Sequence, residues 1–253
     1  MTNPTASLPD AAPAKTASAR VEAAGLSVEA ASIRRGGRLL LEGVSFAAPA
    51  GAFAALRGPN GSGKTSLLRV LAGLAPLAGG VVRFGAATLT EDPEAYRERI
   101  MLAGHLDAVK PSLSVLENLR FWAAYYGAPE PEAASRAALE RFGLAHRAEA
   151  PAGHCSAGQK RRLGLARLAA AARPLWLLDE PTVALDKESV AALSAMIEAH
   201  CAAGGVVVAA THQDFPIRES LTIDVGAFEP KRRDDGRTGA ANGVDPFLDG
   251  FGA

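Results

Sequence analysis

The chain has 253 residues, enough for one large domain or two small ones, and its 48% hydrophobic content is that of a globular protein with a sizeable core. Lysine plus arginine equals aspartate plus glutamate at 27 each, so no overall positive field points to nucleic acid as a partner. Cys155 and Cys201 are the only cysteines, which excludes a disulfide framework and a cysteine metal site and suits a reducing compartment.

Met1 to Ala24 is rich in Ala, Pro, Ser and Thr and carries no apolar stretch of the kind found in signal sequences or anchors. A disordered arm is expected there. Leu26 to Phe53 reads as short β-like runs around a Gly36-Gly37 turn, and Gly79 to Thr90 as a further hairpin, so a small antiparallel layer should flank whatever lies between them. Between them comes Phe53 to Leu56, an apolar run expected to be a buried strand, and then GPNGSGKTS from Gly58 to Ser66.

That stretch fits the phosphate-binding pattern G-x-x-x-x-G-K-[ST], with Gly58, Gly63, Lys64 and Thr65 at its fixed positions. A phosphate chain needs backbone N–H donors that can approach without side chains in the way. Gly58, Gly61 and Gly63 allow such a wrap, with Pro59, Asn60, Ser62 and Ser66 completing the loop. The following helix, expected over Leu67 to Leu74, would aim its N-terminus at the anion. Lys64 would meet the β- and γ-phosphates and Thr65 would offer its hydroxyl to Mg²⁺.

Ile100 to Gly104 is expected as the next core strand, ending at His105, and Ser114-Val-Leu-Glu117 is a capping-box pattern that opens a helix. Leu116, Leu119, Phe121, Trp122 and Tyr125 give this helix broad apolar faces, read as core or partner interface rather than a cofactor box. More helix is expected over Pro131 to Phe142 and over the basic stretch Lys160 to Arg173. Ser156, ahead of that stretch, can cap it, and with Gly158 could present donors to a phosphate.

Leu175 to Leu178 reads as a fully buried strand that ends in Asp179-Glu180-Pro181-Thr182. An acidic pair at the carboxyl end of a core strand beside a phosphate loop suits metal binding and water activation. Asp179 fits the Mg²⁺ ligand, acting through water, and Glu180 the group that reaches the attacking water. Ala184-Leu185-Asp186 is expected as a turn, and Gly205 to Ala210 as another buried strand, placing His212 at its carboxyl end. No apolar run reaches the roughly 18 residues of a membrane-spanning helix, since Arg167, Arg173 and Pro174 break the richest one. A membrane role would have to come through a partner.

GPNGSGKT, CSAGQ, LWLLDEPT, ALD and TH, in that order, resemble the ATP-binding cassette (ABC) family over about Leu26 to Phe228. The resemblance implies an α/β fold: a RecA-like P-loop NTPase core with an antiparallel β-subdomain and a helical subdomain at about 106–170, within a cassette at 25–228 and ahead of a disordered tail at 229–253. It implies ATP and Mg²⁺ as cofactors, with Gly58 to Ser66 as the phosphate loop and Ser156 and Gly158 in the signature loop. Asp179 and Thr65 would hold the metal, and Glu180, His212 and Lys64 would be catalytic, with His105 also at the nucleotide. It further implies membrane-spanning partner subunits and a second copy of the chain, head to tail.

Within the family, AGHLDAVKPSLSVLENLRFW, CSAGQKRRLGLARL and LWLLDEPTVALD are similar to haem-export ATP-binding subunits of bacterial cytochrome c maturation. That branch implies partners of the cytochrome c maturation B and C kind and a peripheral place on the cytoplasmic face of the inner membrane. The motor of another small exporter, of the ABC-2 type, and a soluble cassette without a channel stay open as alternatives. A GTPase is disfavoured, because no Asn-Lys-x-Asp motif occurs. His105 stands where the family commonly has glutamine and Ala157 where it commonly has glycine. Arg35 stands near the place of the usual adenine-stacking aromatic.

Overall fold

The computed structural model describes residues 24–212 and 215–230; all of the expected N-terminal arm but Ala24, which is buried, and most of the expected C-terminal tail lie outside the described residues. The described chain builds two sheets, and the way their residues alternate decides where the site falls.

Strands β3 (Phe53–Arg57), β7 (Leu175–Asp179) and β8 (Val206–Ala210) are almost uninterrupted apolar runs. Such runs suit strands covered on both faces, as in a parallel sheet between layers. They join β6 (Ile100–Ala103) and β9 (Leu221–Asp224) in a parallel sheet of order β6-β7-β8-β3-β9. Because side chains alternate along a strand, Leu56, Leu177 and Val208 enter one core while Phe53, Leu178 and Val207 enter the other. The first core is closed by β1 (Leu26–Arg35), β2 (Arg38–Ala48), β4 (Gly79–Phe84) and β5 (Ala87–Thr88), an antiparallel sheet of order β2-β1-β4-β5. The antiparallel layer expected from the sequence is therefore present. Helices α1 (Lys64–Leu71) and α2 (Pro93–Arg97) lie with it, and the Tyr96 hydroxyl donates to the Leu71 carbonyl at 2.8 Å.

The second core carries α3 (Val115–Tyr125), α4 (Pro131–Arg141), α5 (Ala157–Ala170) and α6 (Lys187–Ala202). Ser114 and Glu117 form the expected capping box at the start of α3. Helix boundaries differ from expectation most at both ends of α1 and of α5, which stops at Ala170 rather than Arg173. Helix α1 starts at Lys64 rather than Leu67, directly on Gly63, and ends before Leu74. Its stop is Gly73 in the left-handed region at φ 68°, where Gly73 and Leu74 N–H groups donate to the Val70 and Arg69 carbonyls and leave Leu74 outside the helix. Helix α5 starts at Ala157 rather than Lys160, because Ser156 and Gln159 close a second capping box. No helix among the described residues is long and apolar enough to cross a membrane.

Candidate active site

The phosphate loop connects β3 to α1, and its conformation follows from its glycines. Gly58, Gly61 and Gly63 have φ of 141°, 84° and 100°, a region costly for residues with a Cβ. At Gly58 space is short as well: a Cβ there would lie 2.9 Å from the Ser62 hydroxyl. That hydroxyl is buried and has no hydrogen-bond partner, which suits a loop built to meet phosphate oxygens. Lys64, although buried, is held by the loop itself, its ammonium donating to the carbonyls of Gly58 at 2.7 Å and Pro59 at 3.0 Å.

Asn60, Gly61, Gly63, Lys64, Thr65 and Ser66 line a cavity of about 430 Å³ together with Arg35, Leu40 and Glu180. The carboxyl end of β7 thus reaches the phosphate loop. Thr65 donates its hydroxyl to Asp179 at 3.1 Å. Burial pushes the Asp179 carboxyl above the usual carboxylate range, the Thr65 hydrogen bond opposes that rise, and the neighbouring Glu180 charge adds to it. Glu180 is bonded to His212: a carboxylate only accepts, so His212 Nδ1 carries the hydrogen in their 2.9 Å contact. Glu180 also has a φ of 46°, unusual for a residue with a long side chain.

His105 lies elsewhere. It lines a second, larger cleft of about 620 Å³, with Thr65 and Asp179 on one wall and Leu106, Trp122 and Tyr125 of the helical side on the other. Thr65 alone borders both cavities. Ser156 and Gly158 line neither of them; Ser156 is exposed, its hydroxyl engaged with the Gln159 N–H at 3.2 Å. The structure therefore brings together the phosphate loop, Asp179, Glu180 and His212, and leaves the start of α5 apart.

Arg161, which the sequence offered only as part of a basic helix, is buried beside this group and bonded to the backbone of both Asp179 and Glu180. Helix α6 was also not foreseen, although Asp186 caps it by accepting from the Ser189 N–H, a signal the sequence does contain.

A parallel sheet with a glycine loop at the end of β3 and paired acids at the end of β7, with β8 between them, defines a P-loop nucleotide-binding cassette. The ABC transporter family description matches residues 41–183. The cytochrome c biogenesis ATP-binding export protein CcmA of Paramagnetospirillum magneticum is 54% identical over 195 residues, covering 75% of this chain and 89% of that protein. CcmA of Paracoccus denitrificans is 49% identical over 203 residues, covering 80% and 90%. A solved ATP-binding subunit of an ABC transporter superposes with a TM-score of 0.73 at 26% identity, covering 79% of this chain and 86% of that one. The chain belongs to the ABC transporter family and, within it, to the CcmA group of cytochrome c biogenesis ATP-binding export proteins.

Proposed function

We propose that this chain is the ATP-hydrolysing subunit of a transporter complex in cytochrome c biogenesis, with haem as its cargo, seated on the cytoplasmic face of the inner membrane. The observation that carries the hydrolytic part is the Glu180 carboxylate, which borders the phosphate-loop cavity and is oriented by His212 at 2.9 Å.

The geometry supports a division of labour. Backbone N–H groups of the loop and the start of α1 cradle the phosphates. Lys64 has three ammonium hydrogens, two of them on loop carbonyls, and it would turn toward the β- and γ-phosphates. Glu180 takes a proton from water as the water oxygen bonds to the γ-phosphorus and the bond to the ADP oxygen breaks. His212 keeps the carboxylate aimed. Thr65 and Asp179 supply hard oxygen donors 3.1 Å apart, which fits Mg²⁺. Mg²⁺ held by this pair would take its remaining ligands from nucleotide and water. Bound there, Mg²⁺ would neutralise charge on the phosphates.

Membrane-spanning subunits of the B and C kind fit the larger cleft, whose lining exposes Leu106 at 80% and Tyr125 at 68%, with Phe121, stacked on Tyr125, exposed beside it at 58%. His105 lines that cleft together with Asp179, in a position to couple a partner there to the metal-binding carboxylate. The separation of Ser156 and Gly158 from the phosphate cavity supports a head-to-tail pair, in which the start of α5 serves the nucleotide of a second copy.

Glu180→Gln tests the hydrolytic assignment. Turnover should fall by about 10²- to 10⁴-fold while ATP binding persists, since the phosphate cradle is untouched. Hydrolysis at the unmutated rate would remove Glu180 from its role. Loss of cytochrome c maturation in cells carrying the variant, with other exporters unaffected, would separate this cargo from that of an ABC-2 type exporter.

A further inference from the structure

We infer that Arg161 is a positioning residue for ATP hydrolysis, tying helix α5 to the Glu180 backbone and to the loop that follows His105. The inference rests on Glu180 acting as the base and on nothing about cargo or membrane partner.

Arg161 is only 7% exposed. One terminal nitrogen donates to the Gly104 carbonyl at 2.9 Å and the Asp107 carboxylate at 3.1 Å; the other donates to the Asp179 carbonyl at 3.2 Å and the Glu180 carbonyl at 2.8 Å. Both terminal nitrogens are thus saturated, and a single planar fork holds three pieces of chain: the exit of β6, the exit of β7 and α5. The bond to Glu180 falls on a residue with a φ of 46°. A left-handed residue with a side chain is strained and persists only where its surroundings impose it. Arg161 fastens the carbonyl of Glu180, while the Ala210 carbonyl holds its N–H at 2.9 Å. Between these two anchors the side chain is aimed at His212.

A second contact shows that α5 and the loop are fitted to each other. A Cβ on Gly164, one turn beyond Arg161, would lie 2.9 Å from the Asp107 carbonyl oxygen and 3.0 Å from its Cβ. The loop therefore rests directly on the helix, and the Arg161–Asp107 ion pair lies beside that seat. Any shift of α5 along its axis would pull on Glu180 and on the Gly104-His105 segment together.

The experiment measures kcat, KM for ATP and the Kd of a non-hydrolysable ATP analogue in the full chain for Arg161→Lys, Arg161→Gln and Asp107→Ala, with Glu180→Gln alongside. Lysine keeps the charge but not the fork, so Arg161→Lys should not rescue. Both Arg161 variants should lose about 10- to 100-fold in kcat, the scale of a displaced catalytic group, with KM and Kd within about threefold, while the buried partners left unpaired lower the melting temperature. Asp107→Ala, which loses one of the four bonds, should show the same split at smaller size. Unchanged kcat in Arg161→Lys, or parallel losses of kcat and analogue binding, would overturn the inference. If neither Arg161 variant folds, Asp107→Ala decides, and an unchanged kcat there is the overturning result. A fully active Glu180→Gln would bring down the base assignment itself, an outcome distinct from failure at Arg161.

Discussion

At Lys64 the ammonium group is satisfied by the loop it belongs to, through the Gly58 and Pro59 carbonyls, so the side chain is held close to where a phosphate would lie. Lys64→Ala should weaken ATP binding by about 10- to 100-fold, the worth of a charge-assisted hydrogen bond at about 1.5–3 kcal/mol. A fluorescent-nucleotide titration checks this, and unchanged affinity would refute the role. A different titratable residue governs stability. His200 stacks on Trp176 with ring centroids 3.7 Å apart, and its Nε2 donates to the Pro174 carbonyl at 3.2 Å. Burial lowers its pKa to about 4, below the ordinary value of 6.5. The unfolded chain therefore binds the extra proton first, so stability is complete above about pH 6.5 and declines as the pH falls toward 4. The decline should amount to about 2–3 kcal/mol. Urea unfolding at pH 7 and pH 4.5 should show His200→Gln losing much less over that interval than the unmutated chain; equal losses would contradict this account.

Among the elements, the loop between β6 and α3 has the most to transmit, because His105 faces a cleft that Asp179 also borders. His105→Ala should leave most ATP binding intact while removing the stimulation of hydrolysis by membrane subunits. Equal stimulation in both proteins, measured in the assembled complex, would exclude His105 as the coupling residue. This loop also marks where sequence stops being informative. Strands β3, β7 and β8 were legible because burial on both faces demands unbroken apolar runs, and the phosphate loop because its backbone demands glycine. The capping boxes at Ser114 and Ser156 announced α3 and α5, though the sequence-based start of α5 fell three residues late. Strand β9 escaped notice because LTID is only four residues long, buries Ile223 alone and lies at the sheet edge. The Glu180–His212 pair could be ordered along the chain, but their bond depends on β7 and β8 being neighbours. Arg161 was illegible: a basic residue in a basic helix looks solvated until tertiary packing buries it.

For the whole molecule, the absence of Ser156 and Gly158 from the lining of the phosphate cavity has a consequence for assembly. Glu180→Gln with ATP and Mg²⁺ should form a dimer by light scattering, and Ser156→Arg should abolish it. A persistent monomer in the presence of the membrane subunits would argue against the head-to-tail arrangement. Thr65 carries the last consequence. Its residue borders both cavities, and its hydroxyl bond to Asp179 forms part of the wall they share. Two ligands seated on opposite sides of one wall cannot be thermodynamically independent if either displaces it. Whatever factor the seated membrane segment applies to ATP affinity, ATP must return to the affinity of that segment. If a partner seated in the larger cleft strengthens ATP binding, ATP must strengthen that seating by the same factor, and hydrolysis would then weaken it.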